Sequence, residues 1–282
     1  MDRATSTFIV LLSTCVSLSA QWLSYPTVGI PRLPDGKPNL SAPAPKTRDG
    51  KPDFSGTWVF DESKKDQYHG QNIDKVVKGG LPYKPGVGEM MRARGSKENE
   101  VSNPLSHCLP KSMLLLDSSP LASGDSSGVY KLVQTPGLLI MLFEYNITWR
   151  QIHTDGRPFP TDPEPAWYGY STGKWEGNTL VAETTGFKDG VWLDVNGNGI
   201  SDAAKITERF RRPDFGHMQI DFTVDDPKSY TKPWTVTISE ILIPDTDVME
   251  AVCLENERDS KHFVCDDPAA PGCSAQTPAG AK

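Results

Sequence analysis

From Val129 onward, apolar and polar residues alternate with a period of two, the pattern of half-buried strands. The clearest run is His217–Val224, where Met218, Ile220, Phe222 and Val224 share one face and polar residues occupy the other. Val129–Thr135 and Leu138–Glu144 precede it, split by the turn pair Pro136-Gly137, and Ile147–His153 follows them. Lys205–Arg212, Trp234–Leu242 and Val248–Cys253 extend the series. The segment Ala166–Phe187, AWYGYSTGKWEGNTLVAETTGF, carries an aromatic strand, a Glu-Gly-Asn turn and a Thr/Val-rich strand, and predicts a β-hairpin. Only Gly86–Arg94 has a short helical pattern. Roughly ten short strands with regular turns predict an all-β fold, a single antiparallel β-barrel or a sandwich.

The upstream chain is organised differently. Residues 21–54 are rich in Pro and Gly and predict an extended arm, because proline fixes φ and removes donors. DGKPNLS at Asp35–Ser41 recurs as DGKPDFS at Asp49–Ser55, a tandem echo too short for a solenoid. Gly56-Thr57-Trp58 then opens the first strand, in the place where lipocalins carry a G-x-W whose tryptophan plugs one end of the barrel. Residues 1–20 read as a secretory signal peptide, 55–265 as the barrel and 266–282 as a disordered tail. The address is therefore secreted or periplasmic, and no apolar run is long enough to span a membrane.

Net charge is −7 with acids and bases interspersed, which disfavours nucleic acid as a partner. Of five cysteines, Cys15 falls in the signal. The even remainder, Cys108, Cys253, Cys265 and Cys273, predicts two disulfides with three possible pairings. No cysteine pair has zinc spacing and the five histidines are scattered, so no metal is assigned. No phosphate-cradling loop or nucleophile elbow occurs, and no cofactor is implied. Asp194-x-Asn196-x-Asn198-Gly199 resembles the start of a calcium loop, but its twelfth position is Lys205, which favours a plain hairpin loop. The sequence sets no oligomeric state.

Two carboxylates are expected inside. Glu183 shares a face with Val181 and Thr179, and Glu208 lies between Ile206 and Phe210. Such a pair either divides acid and base roles or is held by arginines such as Arg150 or Arg209 for structure. His217, at a strand lip, is the candidate proton shuttle beside Glu183 and Glu208. Glu240, near a strand end, is expected in solvent. Aromatic residues concentrate in the middle third, and Trp167, Tyr170 and Trp175, with Arg150 and Arg209, are the candidate lining of a ligand pocket. Three functions remain open: a pocket protein for a small aromatic or amphipathic molecule, an acid–base enzyme, or a structural, partner-binding module.

At WEGNTLVAETTGF, and along DGKPDFSGTW, Cys108-Leu109-Pro110, QTPGLL, TDGRPFP, ITERFRRPDFGH, DDPKSYTKPWTV and VCLEN, the chain resembles a large group of exported bacterial β-rich proteins. That group is abundant in soil acidobacteria and has no assigned reaction. The chain departs from it at Gly197–Ile200, where the group commonly has G-x-P-H and this sequence has no histidine. The resemblance implies an exported lipocalin-like barrel. Cys108 and Cys253 lie in shared stretches and Cys265 and Cys273 in the variable tail. It therefore also implies a Cys108–Cys253 bridge and a local Cys265–Cys273 bridge.

Overall fold

A computed structural model describes residues 26–64, 67–68, 72–96, 103–117 and 128–255. Its centre is a closed barrel of nine strands. In chain order the elements are β1 (Gly56–Phe60), α1 (Ile73–Val76), α2 (Val87–Arg94), α3 (Met113–Asp117), β2 (Tyr130–Thr135), β3 (Leu138–Phe143), β4 (Thr148–His153), β5 (Tyr170–Glu176) and β6 (Thr179–Thr185). A two-stranded hairpin, β7 (Val191–Trp192) and β8 (Gly199–Ile200), precedes β9 (Lys205–Arg211), β10 (His217–Asp225) and β11 (Trp234–Leu242). Around the barrel the order is β1-β11-β10-β9-β6-β5-β4-β3-β2, closed by the β1–β2 pair.

Alternation sets the inner face. In β10, Met218, Ile220, Phe222 and Val224 are fully buried while their neighbours are half-exposed. They face Glu240, Ile238, Val236 and Trp234 across the β11 register. Trp58 is fully buried on the inner face of β1, as the G-x-W motif predicts. Its glycine is required: a Cβ on Gly56, at φ +142°, would come within 2.5 Å of the Leu242 side chain.

Two sequence expectations are corrected. The barrel is mixed, because β4 and β5 run parallel, with residues 154–169 carrying the chain back between them. Val248–Cys253 forms no strand; it touches the barrel through one parallel bridge, Tyr145↔Ala251. After β11 the chain runs back outside β1, β2 and β3, held by Ile243 N–H to Thr57 O at 2.9 Å and by Lys131–Asp247 at 2.9 Å. It ends in the bond between Cys108 and Cys253.

The two barrel ends are closed differently. One, the arm end, has the β2–β3, β5–β6 and β9–β10 turns and receives residues 26–55. The tandem repeat folds as two equivalent tight turns. Leu33 N–H donates to Lys37 O at 2.8 Å and Thr47 N–H to Lys51 O at 2.9 Å, and the bridges Arg32↔Pro38 and Lys46↔Pro52 repeat with them. The arm is docked along its length: Phe215 N–H donates to Ala42 O and Gly216 N–H to Leu40 O, each at 2.7 Å. The opposite end is covered by the β7–β8 hairpin, anchored by Tyr230 Oη to Gly199 O at 2.8 Å and Tyr68 Oη to Leu193 O at 2.9 Å.

Candidate functional site

Glu208 faces inward as expected and is wholly buried. Arg150 meets it with both terminal nitrogens, Nη1 donating to Oε1 at 2.9 Å and Nη2 to Oε2. The same guanidinium donates to Ser171 Oγ at 3.1 and 3.0 Å and to Thr184 Oγ1 at 2.9 Å. Ala182 lies directly opposite Glu208, and with Ser171 and Thr184 this small side chain leaves the volume that the ion pair fills. A bidentate, fully hydrogen-bonded pair of this kind is the arrangement in which buried charges persist.

Glu183 does not join it. Leu180, Ala182 and Thr184 take the inner positions of β6, so Glu183 projects outward, where Lys205 Nζ lies 2.7 Å from its carboxylate. The expectation of an inward Glu183 failed because Val181, though buried, belongs to the outer face, whereas the inner face carries the less conspicuous Ala182. Glu183 and Glu208 therefore stand on opposite faces of the wall and do not converge on one substrate. Arg209 is likewise outward, paired with Glu176 at 2.7 Å, and that pairing holds the Glu176 carboxyl below its usual range. Arg150, committed to Glu208, lines none of the cavities described here.

The aromatic candidates separate in the same way. Trp175 occupies the last inner position of β5, at the arm end, and stacks on Phe54 with ring centroids 5.8 Å apart and planes 10° from parallel. Lys51 of the arm sits 5.8 Å from the same ring. Beside this stack is a cavity of about 550 Å³, with Leu139, Leu180 and Trp175 on the barrel side and Thr47, Arg48 and Asp49 on the arm side. Gly173 lets Leu180 and Thr154, which line the cavity, pack closely on β5: a Cβ there would meet Ile152, Leu180 and Thr154 at 3.1 Å each. The cavity is thus a shallow mouth at the arm end, and the barrel interior beneath it is filled by buried side chains.

Tyr170 and Trp167 lie elsewhere. Tyr170 is on the outer face, stacked on His153 at 5.3 Å and edge-on to Phe159 at 6.3 Å. Burial, reinforced by Arg157, lowers the His153 pKa below its ordinary value. Trp167 is half-buried in the β4–β5 connection under Lys188 at 5.5 Å, beside a crevice of only about 10 Å³. Neither reaches the cleft at Trp175.

His217 sits on the outer wall at the start of β10, its Nδ1 2.7 Å from Asp214 Oδ1. It borders a separate depression of about 280 Å³ and is on the opposite face from Glu208. Glu240, expected in solvent, is fully buried, since it continues the inner row of Trp234, Val236 and Ile238 and faces Phe60 and Met218. The calcium-like run forms the β7–β8 loop, and Asp194 accepts from Ile73 N, Asn196 N, Asn198 N and Asn198 Nδ2. Burial pushes the Asp194 pKa up against those donors.

Sequence reasoning missed Arg212 and the arm side of the cleft. Arg212 is buried with its guanidinium 4.8 Å over Trp58 and 5.2 Å over Phe215, and it donates to the carbonyls of Phe215, Asp53 and Ser55. Burial lowers its pKa to about 10, with Asp53 and Asp214 opposing. The second DGKP turn was the available signal for Thr47–Asp49. Cys265 and Cys273, and the bridge expected between them, lie outside the described residues, as do the stretches read as a signal peptide and a tail. No known family model matches the chain, and neither does any curated protein.

Proposed function

We propose that this is an exported pocket protein that binds a small, partly aromatic or amphipathic molecule in the arm-end cleft. The observation that carries the proposal is the cavity of about 550 Å³ between Trp175, Leu139 and Leu180 on one side and Thr47–Asp49 on the other. That volume falls in the range of small-molecule sites, which combine apolar walls with a few polar groups that set orientation. An indole already stacked on Phe54 presents an ordered surface to a flat ligand. Arg48 and Asp49 supply charge of both signs at the rim. Export is part of the same proposal, supported by the signal-like N-terminus and the Cys108–Cys253 bond. The similarity to exported acidobacterial lipocalin-like proteins is in keeping with it.

The test is fluorescence titration with 1-anilinonaphthalene-8-sulfonate, a flat amphipathic anion, followed by competition with planar aromatic acids. Saturable, one-to-one enhancement is expected, weakened about tenfold in Trp175→Ala and also in the surface variant Arg48→Glu. Absence of saturable binding, or equal binding in both variants, overturns the assignment.

A further inference from the structure

We propose a second ligand site, on the outer wall beside the β9–β10 turn, that binds a compact organic cation carrying an ammonium group. The depression of about 280 Å³ there is bordered by Asp61, Lys64, Asp214, His217, Ser239 and Glu240. Ser239 is 4% exposed, and its Oγ has no hydrogen-bond partner among the described residues. A buried hydroxyl left in this state is rare and calls for an occupant with a matching group.

The surrounding groups define that occupant. Asp214 Oδ1 accepts from Gly216 N at 3.1 Å, His217 N at 2.9 Å and His217 Nδ1 at 2.7 Å. In the neutral ring this places the proton on Nδ1 and leaves Nε2 as an acceptor. Asp61 Oδ1 is bound by Ser63 N at 3.0 Å and Ser63 Oγ at 2.7 Å. The internal bonds of both turns thus use Oδ1 of each aspartate, and among the described residues Oδ2 of each is left for a donor. His217 and Ser239 share the outer face as diagonal neighbours, since His217 pairs with Ile241 and Gln219 with Ser239. A ring acceptor, a hydroxyl and the carboxylates of Asp61 and Asp214 therefore border one small depression, with Glu240 at its edge belonging to the inner row.

An ammonium brings a positive charge and three N–H donors, enough for the two carboxylates and the Ser239 hydroxyl, with the His217 ring bordering the same depression. An anion would meet two carboxylates. The one lysine at the border, Lys64, is exposed and belongs to the chain itself, so it acts as a tethered competitor rather than as a recognition group.

Ethylammonium chloride in amine-free buffer at fixed ionic strength is the probe, read by NMR titration of the His217 ring. Saturable shifts are expected, with propionate giving none. Ser239→Ala removes one unpartnered oxygen without disturbing a hydrogen bond. It and Asp61→Asn should each weaken binding about tenfold, whereas Lys64→Ala should tighten it. Non-saturable shifts, equal affinity in Ser239→Ala, or tighter binding of propionate than of ethylammonium overturns the proposal.

Discussion

Replacing Glu208 with glutamine tests the interior most directly, because it preserves shape and removes only charge. Arg150 and Glu208 are 2% and 0% exposed, so no water compensates the guanidinium once its carboxylate is gone. The oxygen of the new side-chain amide accepts one of the two Arg150 bonds, but the amide nitrogen then confronts the other terminal nitrogen, donor against donor. Removing one partner of a buried pair costs about 3–5 kcal/mol. The surviving bonds to Ser171 and Thr184 put Glu208→Gln at the low end, about 3 kcal/mol. For a domain of this size that corresponds to a drop in Tm of roughly 6–12 °C. Urea unfolding followed by circular dichroism and tryptophan fluorescence, with the disulfide intact, measures it. The double variant Arg150→Met/Glu208→Leu should recover most of the loss, since an apolar pair removes the buried charge altogether. Cleft binding should survive, because the Leu180–Phe210 pair lies between Glu208 and the arm end. A Glu208→Gln protein within about 1 kcal/mol of the parent would refute a dry, structural ion pair.

Three further outcomes follow from named contacts. Arg212→Ala removes the cation over Trp58 and the clamp on the Asp53 and Ser55 carbonyls. It should cost about 3 kcal/mol and speed proteolysis of the arm, measured by urea unfolding and timed digestion. Cys108→Ser/Cys253→Ser opens a loop with a sequence separation of 145 residues, and chain entropy sets the loss at about 5 kcal/mol. Asp226 is pushed up by burial, but donors from Ser201, Lys228 and Ser229 outweigh that and leave its pKa below the ordinary 3.8. Its contribution is thus present above that value and is lost as pH falls through the depressed pKa. In Asp226→Asn the stability lost between the unfolded-state pKa and lower pH should be smaller, read from urea midpoints at each pH.

Periodicity made the barrel legible and the side chains inside it only partly so. β10 and β9 were readable because their inner rows are strongly apolar, so Glu208 could be placed among Ile206 and Phe210. β6 misled because a valine lies on its outer face and an alanine on its inner one, and volume at the ion pair, not hydrophobicity, selected the alanine. The parallel β4–β5 pair left no local trace, since direction depends on where residues 154–169 cross the barrel. Glu240 was misplaced for the opposite reason: proximity to a strand end outweighed an alternation that correctly put it with Ile238. Trp175 was identified by residue type alone. What distinguished it from Trp167 and Tyr170 was its inner position at the open end, which no count of aromatics contains.

The tandem DGKP turns connect sequence to site more closely than any catalytic motif. Both copies close through equivalent backbone bonds, with Gly36 and Gly50 at φ +84° and +78°, so the fold of each turn is fixed by the shared residues. Their differences fall where the neighbours differ. Arg32, beside the first turn, pairs with Asp245 at 2.5 Å and ties the arm to the segment that leaves β11. The corresponding residue beside the second turn is Lys46, and the next three, Thr47, Arg48 and Asp49, form the polar wall of the cleft. Fourteen residues after Leu40, which receives Gly216, stands Phe54, which is fully buried and carries the Trp175 stack. One copy thus anchors and the other encloses, and the ring that closes the barrel end also supports the indole facing the cavity. A duplicated turn of equivalent backbone is in this way divided between holding the arm and shaping the wall of the cleft.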